Sequence, residues 1–167
     1  MRYAPLHSDV AEGPDAGAAH WLRTTDGQQI RVAHWVSPDD RGTVLLFPGR
    51  TEYIEKYGRA ATDFRDRGFA TITIDWRGQG LSDRMTPERA TGHVVDFADY
   101  QKDVAAMLTH ARDLGLPKPF YLVAHSMGGC IGLRALIEGL PVKAVAFSAP
   151  MWGIQMSAAL RPFAWGI

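Results

Sequence analysis

The chain alternates between short apolar runs and longer stretches in which apolar residues recur at helical spacing. Residues 20–24 and 29–36 are two β-type runs on either side of Asp26-Gly27. Because Asp-Gly is strongly favoured in tight hairpin turns, these runs predict a β-hairpin. Four later runs are mainly apolar, which is typical of strands in parallel sheets. They lie at 43–47, 69–74, 120–124 and 142–147.

Three amphipathic stretches separate these four runs and predict helices. They cover about 53–64, which is closed by Gly68, then 97–114 and 126–140. A hairpin followed by β-α-β-α-β-α-β is typical of an α/β fold, with a mostly parallel, doubly wound sheet and helices on both faces. The sequence therefore predicts that fold class.

The two ends of the chain differ from this core in composition. Residues 1–18 are rich in Ala, Gly, Pro and Asp and predict a flexible tail before a core domain at 19–147. Residues 148–167 are apolar and contain Trp, and they predict the start of a cap or lid. This last segment stops without a polar end. The chain is therefore expected to be an N-terminal fragment, truncated before the cap and the last strands.

Composition argues against several classes of function. Lys plus Arg and Asp plus Glu both number 18, so the formal net charge is zero. The chain therefore has no excess of positive charge that would indicate binding to nucleic acid or to an anionic membrane. The single cysteine, Cys130, cannot form an internal disulfide, and no Cys/His spacing resembles a zinc motif, so no metal and no cofactor are expected. The N-terminus lacks the pattern of a secretion signal, and no apolar run reaches membrane-span length, which favours a cytoplasmic location.

The most informative motif is P-F-Y-L-V-A-H-S-M-G-G at 119–129. A buried strand runs into Ser126 and then into a helix, which is the setting of a nucleophile elbow. Residues two before and two after the serine must be small, and Ala124 and Gly128 are. The N–H of Met127, at the start of the helix, is suited to stabilise an oxyanion. The alternative is a small-residue turn that matches the motif by chance.

Four segments together resemble the α/β-hydrolase superfamily, and most closely its monoacylglycerol lipase and bacterial lysophospholipase group, the serine aminopeptidase-like hydrolases. P-G-R-T-E-Y-I-E-K-Y at 48–57 resembles the family's H-G-x-x-E-H-x-x-R-Y loop, with Pro48 where the family has His. D-W-R-G-Q-G-L-S-D at 75–83 and A-H-S-M-G-G at 124–129 resemble two further signatures, with Ala124 where the family has Gly. S-A-P-M-W-G-I at 148–154 resembles the approach to the cap. The resemblance covers about 20–167.

The resemblance implies an ester hydrolase that forms an acyl-enzyme on Ser126. Its substrate would be a small acyl ester or a lysophospholipid. The oxyanion would be held by the backbone N–H groups of Arg50 and Met127, although the loop carrying Arg50 could equally be an ordinary turn. The remaining motif residues are expected to be structural, with Glu52 bracing the oxyanion loop and Asp75 binding backbone N–H groups or Arg77. The structural set is Gly49, Glu52, Asp75, Arg77, Gly78, Gly80, Ala124, His125, Gly128 and Gly129.

The acid and base that activate the serine are missing. In this fold they follow the serine along the chain. No His or Asp follows Ser126, and the one later acid, Glu138, lies about three turns along the predicted helix. All six histidines precede the serine. His125 is expected to point away from it, and His93 is the first substitute base to test. The chain by itself is therefore expected to be inactive.

Two other functions stay open at this stage. The chain could be a non-catalytic remnant or interaction protein, or a peptidase of the proline-iminopeptidase kind. Truncation would expose strand 142–147 as an edge, so self-association is expected. The apolar side chains of 148–167 could also make transient contact with a membrane surface, or simply belong to the core of the cap. The side chains meant are Met151, Trp152, Phe163 and Trp165.

Overall fold

A single mixed sheet of seven strands organises the protein in the computed structural model, which describes residues 2–153. The strand order is β1-β2-β3-β5-β4-β6-β7. The strands are β1 (Arg2–Ala4), β2 (Gly17–Arg23), β3 (Gln29–Trp35), β4 (Thr43–Phe47), β5 (Ala70–Asp75), β6 (Phe120–His125) and β7 (Val145–Ser148). The helices are α1 (Ser8–Ala11), α2 (Gly58–Arg65), α3 (Tyr100–Asp113) and α4 (Met127–Ile137), with 3-10 turns at Ile54–Tyr57 and Phe97–Asp99.

The predicted hairpin is confirmed. β2 and β3 pair antiparallel from Gly17↔Trp35 to Arg23↔Gln29. Gly27 has φ +87°, the left-handed conformation that the turn needs and that glycine adopts without strain. β3 also pairs antiparallel with β5, which joins the hairpin to the rest of the sheet.

The parallel half of the sheet contains β5, β4, β6 and β7, each paired parallel with its neighbour. All five residues of β4 are buried, as expected for a strand covered on both faces. β7 begins at Val145, three residues later than predicted, because the chain between α4 and β7 first turns through Gly139, whose φ is +93°. The described chain therefore has the predicted α/β class.

Helices cover both faces of this sheet. α3 and α4 pack on one face through Met107, Ala111 and Ile131, against Ile72 and Leu122 of the strands. The opposite face carries a smaller cluster of buried residues. That cluster contains Ala19, Ala33, Trp35, Ile54 and Ala61. The helix predicted for about 53–64 thus begins as a 3-10 turn and continues as α2.

The prediction of a flexible tail at 1–18 is wrong for the residues that the structure describes. β1 pairs with β2 through Tyr3↔His20. The backbone N–H of His7 donates to Glu55 (3.2 Å), and the carbonyl of Pro5 accepts from Arg31 (3.0 Å). Composition suggested disorder, but the segment is ordered by partners distant in sequence. The segment also packs closely against the start of α2, since a β carbon at Gly58 would lie 2.0 Å from the carbonyl oxygen of Ala11.

The C-terminal end of the described chain follows the edge strand. β7 pairs only with β6 among the strands of the sheet, and its residues are mostly exposed. Of the predicted cap segment at 148–167, residues 154–167 lie outside the described part, including Phe163 and Trp165. Within residues 2–153, no helix combines the length and hydropathy of a membrane span.

Candidate active site

Ser126 occupies the turn between β6 and α4 in a strained backbone conformation. Its φ is 50° and its ψ is −119°, a region that residues with a side chain rarely adopt. The turn is held by backbone hydrogen bonds. The N–H of Ser126 donates to Ser148 (3.1 Å), and its carbonyl accepts from Gly129 and Met151 (both 2.9 Å). The predicted strand, sharp turn and helix are therefore present, while the catalytic role of Ser126 stays a prediction.

Small residues let α4 approach the end of β4. A β carbon at Gly128 would lie 2.3 Å from the carbonyl oxygen of Phe47 and 2.5 Å from that of Pro48. A β carbon at Gly129 would lie 2.7 Å from the side chain of Pro150. Ala124 is fully buried, so the turn accommodates its methyl group in place of the usual glycine. The close approach brings the loop after β4 beside the serine.

That loop runs beside Ser126. A β carbon at Gly49 would lie 3.1 Å from the β carbon of Ser126. The N–H of Gly49 donates to Glu52 (2.5 Å), and the N–H of Thr51 donates to Gln79. Between them, the N–H of Arg50 has no acceptor among residues 2–153, and neither does the N–H of Met127 at the start of α4. These are the two donors predicted for an oxyanion hole, and that role stays a prediction.

Glu52 holds this loop in place. Its carboxylate accepts from the Gly49 N–H, from the hydroxyl of Tyr57 and from the ammonium of Lys56. Burial acts to raise the pKa of Glu52, but these hydrogen bonds outweigh it and leave the pKa below its ordinary value. Glu52 therefore carries its negative charge at neutral pH and is already used in bracing the loop.

His125 is directed away from Ser126, as expected. Its Nδ1 lies 3.1 Å from the carbonyl oxygen of Ser148, and its Nε2 lies 3.8 Å from a carboxylate oxygen of Glu52. Both ring nitrogens thus face partners other than the serine.

Asp75 joins the oxyanion loop to the loop after β5. One carboxylate oxygen accepts from the N–H of Ile54 (2.9 Å), and the other accepts from the N–H of Leu81 (2.8 Å) and from Nε of Arg31 (2.8 Å). Gly80, with φ +52°, is required because a β carbon there would lie 2.1 Å from the Asp75 carboxyl. Arg31 is also bound by Glu55 at 2.7 and 2.8 Å. Asp75 is therefore enclosed by structural contacts.

Of the two partners expected for Asp75, the structure shows backbone N–H groups and not Arg77. Arg77 instead forms hydrogen bonds with Asp103 (2.8 and 2.9 Å) and with Asp26 (2.8 and 3.2 Å). The reason is that β5 ends at Asp75, and Arg77 lies in the turn that follows, where its guanidinium meets Asp103 of α3 and Asp26 of the hairpin turn. Gly78, with φ +79°, allows the carbonyl of His93 to approach, since a β carbon would lie 2.6 Å from it.

No base is bonded to Ser126 in the described chain. Among residues 2–153, neither an imidazole nor a carboxylate forms a hydrogen bond with the hydroxyl of Ser126. His93 is exposed on the loop beside Gly78 and makes no hydrogen bond with the serine. The structure thus brings together Ser126, Arg50, Met127, Gly49 and Glu52, but it supplies no catalytic partner from this part of the chain.

Sequence reasoning missed a second group of reactive side chains. His20, His34 and His110 are buried together, with one ring nitrogen of each within 4.8 Å of the others. They are 14 and 76 residues apart along the chain, so no short-spacing motif could reveal them. The available signal was that His20 and His34 fall on the same side of the predicted hairpin, and that His110 lies in the apolar stripe of the helix at 97–114.

Most of the chain resembles proteins of a known family. Residues 38–166 match the family described as "Serine aminopeptidase, S33". The chain is 41% identical over 130 residues to lysophospholipase L2 of Escherichia coli K12, and 30% identical over 136 residues to probable lysophospholipase L2 of Haemophilus influenzae. These matches cover 77% and 80% of this chain but 38% and 43% of the relatives, so the chain spans about two fifths of the length of these curated relatives.

The fold also resembles that of a solved lipase structure. A soluble variant of monoglyceride lipase from Saccharomyces cerevisiae, crystallised with a substrate analogue, superposes with a TM-score of 0.63 at 26% identity. That superposition covers 86% of this chain and 47% of the lipase.

Proposed function

Because the chain belongs to the serine aminopeptidase S33 family and has the α/β-hydrolase fold, we propose that it carries the nucleophile and the oxyanion hole of a serine ester hydrolase. The observation that carries this proposal is the conformation of Ser126, with φ 50° and ψ −119° between β6 and α4. Strained residues persist where the surrounding structure holds them, and they cluster at active sites. A structural turn could use glycine here at no such cost.

The proposed reaction begins with attack of the Ser126 hydroxyl oxygen on the ester carbonyl. A base takes the hydroxyl proton, and the carbonyl oxygen becomes an oxyanion. The N–H groups of Arg50 and Met127 stabilise that charge, and one such donor is worth about 10²–10³ in rate. The intermediate then releases the alcohol, which takes up the proton. Water attacks the acyl-enzyme and frees the acid.

We propose an acyl ester of glycerol or of a lysophospholipid as the substrate. The support is the lysophospholipase L2 name of two relatives and the monoglyceride lipase name of another. All three names describe enzymes that cleave a single acyl chain from a glycerol-based lipid.

The base is the component that the chain does not present. Neither His nor Asp follows Ser126 in the 167 residues. A serine without a base is a poor nucleophile, and losing a member of a triad leaves only about 10³–10⁴ over the water reaction. We therefore expect the 167-residue chain to show no Ser126-dependent ester hydrolysis by itself and to gain it only when a base is supplied from solution.

The experiment is hydrolysis of a p-nitrophenyl short-chain ester by the chain and by Ser126→Ala, each with and without added imidazole. Imidazole hydrolyses the ester on its own, so the Ser126→Ala protein supplies the background. The expected result is a rate above this background that grows with imidazole only when Ser126 is present. His93→Gln is a useful control, because it removes the substitute base considered from sequence. Equal rates for the chain and Ser126→Ala under all conditions would overturn the proposal and favour a non-catalytic interaction protein.

A peptidase is the second candidate, favoured by the family's description as a serine aminopeptidase. The same chain, with imidazole, is offered aminoacyl p-nitroanilides beside the esters. Ser126-dependent release from the anilide alone would favour the peptidase, and release from the ester alone would favour the lipase type.

A further inference from the structure

A buried cluster of three histidines links the hairpin to α3, and none of its members takes part in the Ser126 site. His20 lies on β2 and His34 on β3. The register pairs His20 with Val32 and His34 with Ala18, so the two histidines are diagonal neighbours on one face of the hairpin. His110, on α3, covers that face. Their side chains are 4%, 8% and 4% exposed, in that order.

Two rings of this cluster are hydrogen-bonded to each other. Nε2 of His110 lies 3.2 Å from Nδ1 of His20, and one of the two nitrogens donates to the other. The rings of His20 and His34 are stacked, with centroids 5.5 Å apart and planes 3° from parallel. Nδ1 of His34 is buried and has no hydrogen-bond partner in the described chain. A buried polar atom without a partner is costly and calls for a missing ligand.

We propose that His20, His34 and His110 bind one late transition-metal ion of the Zn²⁺ class. Imidazole suits Zn²⁺, Cu²⁺ and Ni²⁺, whereas Mg²⁺ and Ca²⁺ prefer oxygen ligands. The proposal accounts for the free Nδ1 of His34, which becomes a metal ligand. In the metal-bound form the hydrogen bond between His20 and His110 is replaced, and the donating ring moves its proton to its other nitrogen so that both nitrogens bind the ion.

The distances fit such a site once the rings adjust. With Zn–N bonds of about 2.0–2.1 Å, a nitrogen separation of 3.2 Å corresponds to an angle near 100° at the metal, close to tetrahedral. Tetrahedral geometry places each pair of ligand nitrogens about 3.3 Å apart. Wider separations, which reach at most 4.8 Å, must therefore shorten by as much as about 1.5 Å. Rotation of the imidazole rings about χ2, which is soft in histidine, contributes to that change.

The protonation state of the cluster also suits a metal. Burial lowers the pKa of His34 and of His110 to about 4, and it lowers the pKa of His20 as well. The rings are then neutral at pH 7, which is the form that binds metals.

An open cleft gives the site a route to solvent. It has a volume of about 430 Å³ and is lined by residues of β2 and α3, including His110 and Asp113. In the proposed site, water from the cleft takes the fourth position of the metal. Three protein ligands with one open position is the usual arrangement of an accessible zinc site.

The test is a titration of the metal-free 167-residue chain with Zn²⁺ by calorimetry, compared with Mg²⁺. The variant is His110→Gln, and His93→Gln is its matched control because it removes a histidine outside the cluster. We expect one Zn²⁺ per chain for the unaltered protein and for His93→Gln. In His110→Gln the affinity should fall by more than about 100-fold, since even partners outside the ligand set cost 10–100-fold.

A second measurement, on the unaltered chain, keeps the test valid if His110→Gln fails to fold. Co²⁺ bound to the unaltered chain should give the visible absorption of tetrahedral coordination, and added Zn²⁺ should displace it. Equal Zn²⁺ affinity in His110→Gln and the unaltered chain, Mg²⁺ binding as tight as Zn²⁺, or octahedral Co²⁺ absorption would each overturn the site. Because neither readout involves ester hydrolysis, failure here leaves the proposed function untouched.

Discussion

Gly128 lies against Phe47 so closely that a β carbon at position 128 would come within 2.3 Å of the Phe47 carbonyl oxygen. This contact joins the elbow helix to the strand that carries the oxyanion loop. It explains why the position two residues after Ser126 needs glycine for a structural reason, whatever the chemistry of the serine.

Gly128→Ala should therefore destabilise the protein. The backbone of β4 cannot move aside cheaply, and we expect a loss of about 3 kcal/mol in the free energy of unfolding, even though alanine is the better helix former. Cys130→Ala, on the same helix, should change it by less than about 1 kcal/mol. Urea unfolding of both variants provides the measurement, and equal stability of the two would contradict the packing argument.

The strain at Ser126 predicts a difference between two ways of removing its hydroxyl. Ser126→Ala keeps a side chain in the strained conformation, whereas Ser126→Gly removes the strain, which is about 1–3 kcal/mol. The greater freedom of glycine in the unfolded chain offsets about 0.5–1 kcal/mol of that gain. Ser126→Gly should thus be more stable than Ser126→Ala by about 1 kcal/mol. If alanine proved the more stable, the turn would not be strained.

The buried ion pair of Arg31 and Asp75 should be sensitive to removal of one charge. Asp75→Asn keeps the shape but leaves the guanidinium with fewer partners, and breaking a buried pair costs about 3–5 kcal/mol. Arg59→Met, which removes an exposed pair with Glu12, should leave the stability nearly unchanged, because solvent screens an exposed ion pair. Thermal unfolding would measure both, and a small effect of Asp75→Asn would mean that Glu55 alone satisfies Arg31.

Asp26 should contribute to the pH dependence of stability. Hydrogen bonds from Arg77, Thr24 and Lys102 hold the pKa of Asp26 below its ordinary value. A carboxyl whose pKa is lower in the folded protein stabilises it above the unfolded pKa of about 3.9, and the contribution is lost as the pH falls below that value. Asp26→Asn should lose less stability than the unaltered chain between pH 6 and pH 3. Asp39→Asn, on an exposed turn, is the control, and equal losses in all three proteins would contradict the prediction.

The edge strand β7 predicts self-association of the 167-residue chain. Hydrogen bonds direct the carbonyls of Ala144 and Ser148 toward β6, so the backbone groups of Val145 and Phe147 face outward and have no partner among residues 2–153. Val145→Lys should shift the chain toward monomer in sedimentation experiments, because a charged edge disfavours pairing. Val36→Lys is a matched control, since Val36 and Val145 are 37% and 36% exposed. A monomeric unaltered chain would show that β7 does not pair between copies.

Much of the fold could be predicted from local signals. The Asp26-Gly27 turn, the buried run of β4 and the strand–serine–helix pattern each depend on residues close together in sequence, and each is present. The small residues at 124 and 128 also followed from the chemistry of a sharp turn. The prediction for residues 1–18 was wrong because it relied on composition alone. The order of this segment comes from its pairing with β2, a contact that exists only in three dimensions.

The sequence by itself determined the order of strands and helices after residue 18, the position of Ser126 at a sharp turn, and the resemblance to a hydrolase family, because these depend on periodicity and short motifs. Only the tertiary structure decided that Arg77 pairs with Asp103 and Asp26, that the N–H of Arg50 has no acceptor among residues 2–153, and that His20, His34 and His110 meet in the core. Each of those facts requires side chains from separate elements to approach within a few ångströms, and no spacing along one chain specifies such a contact.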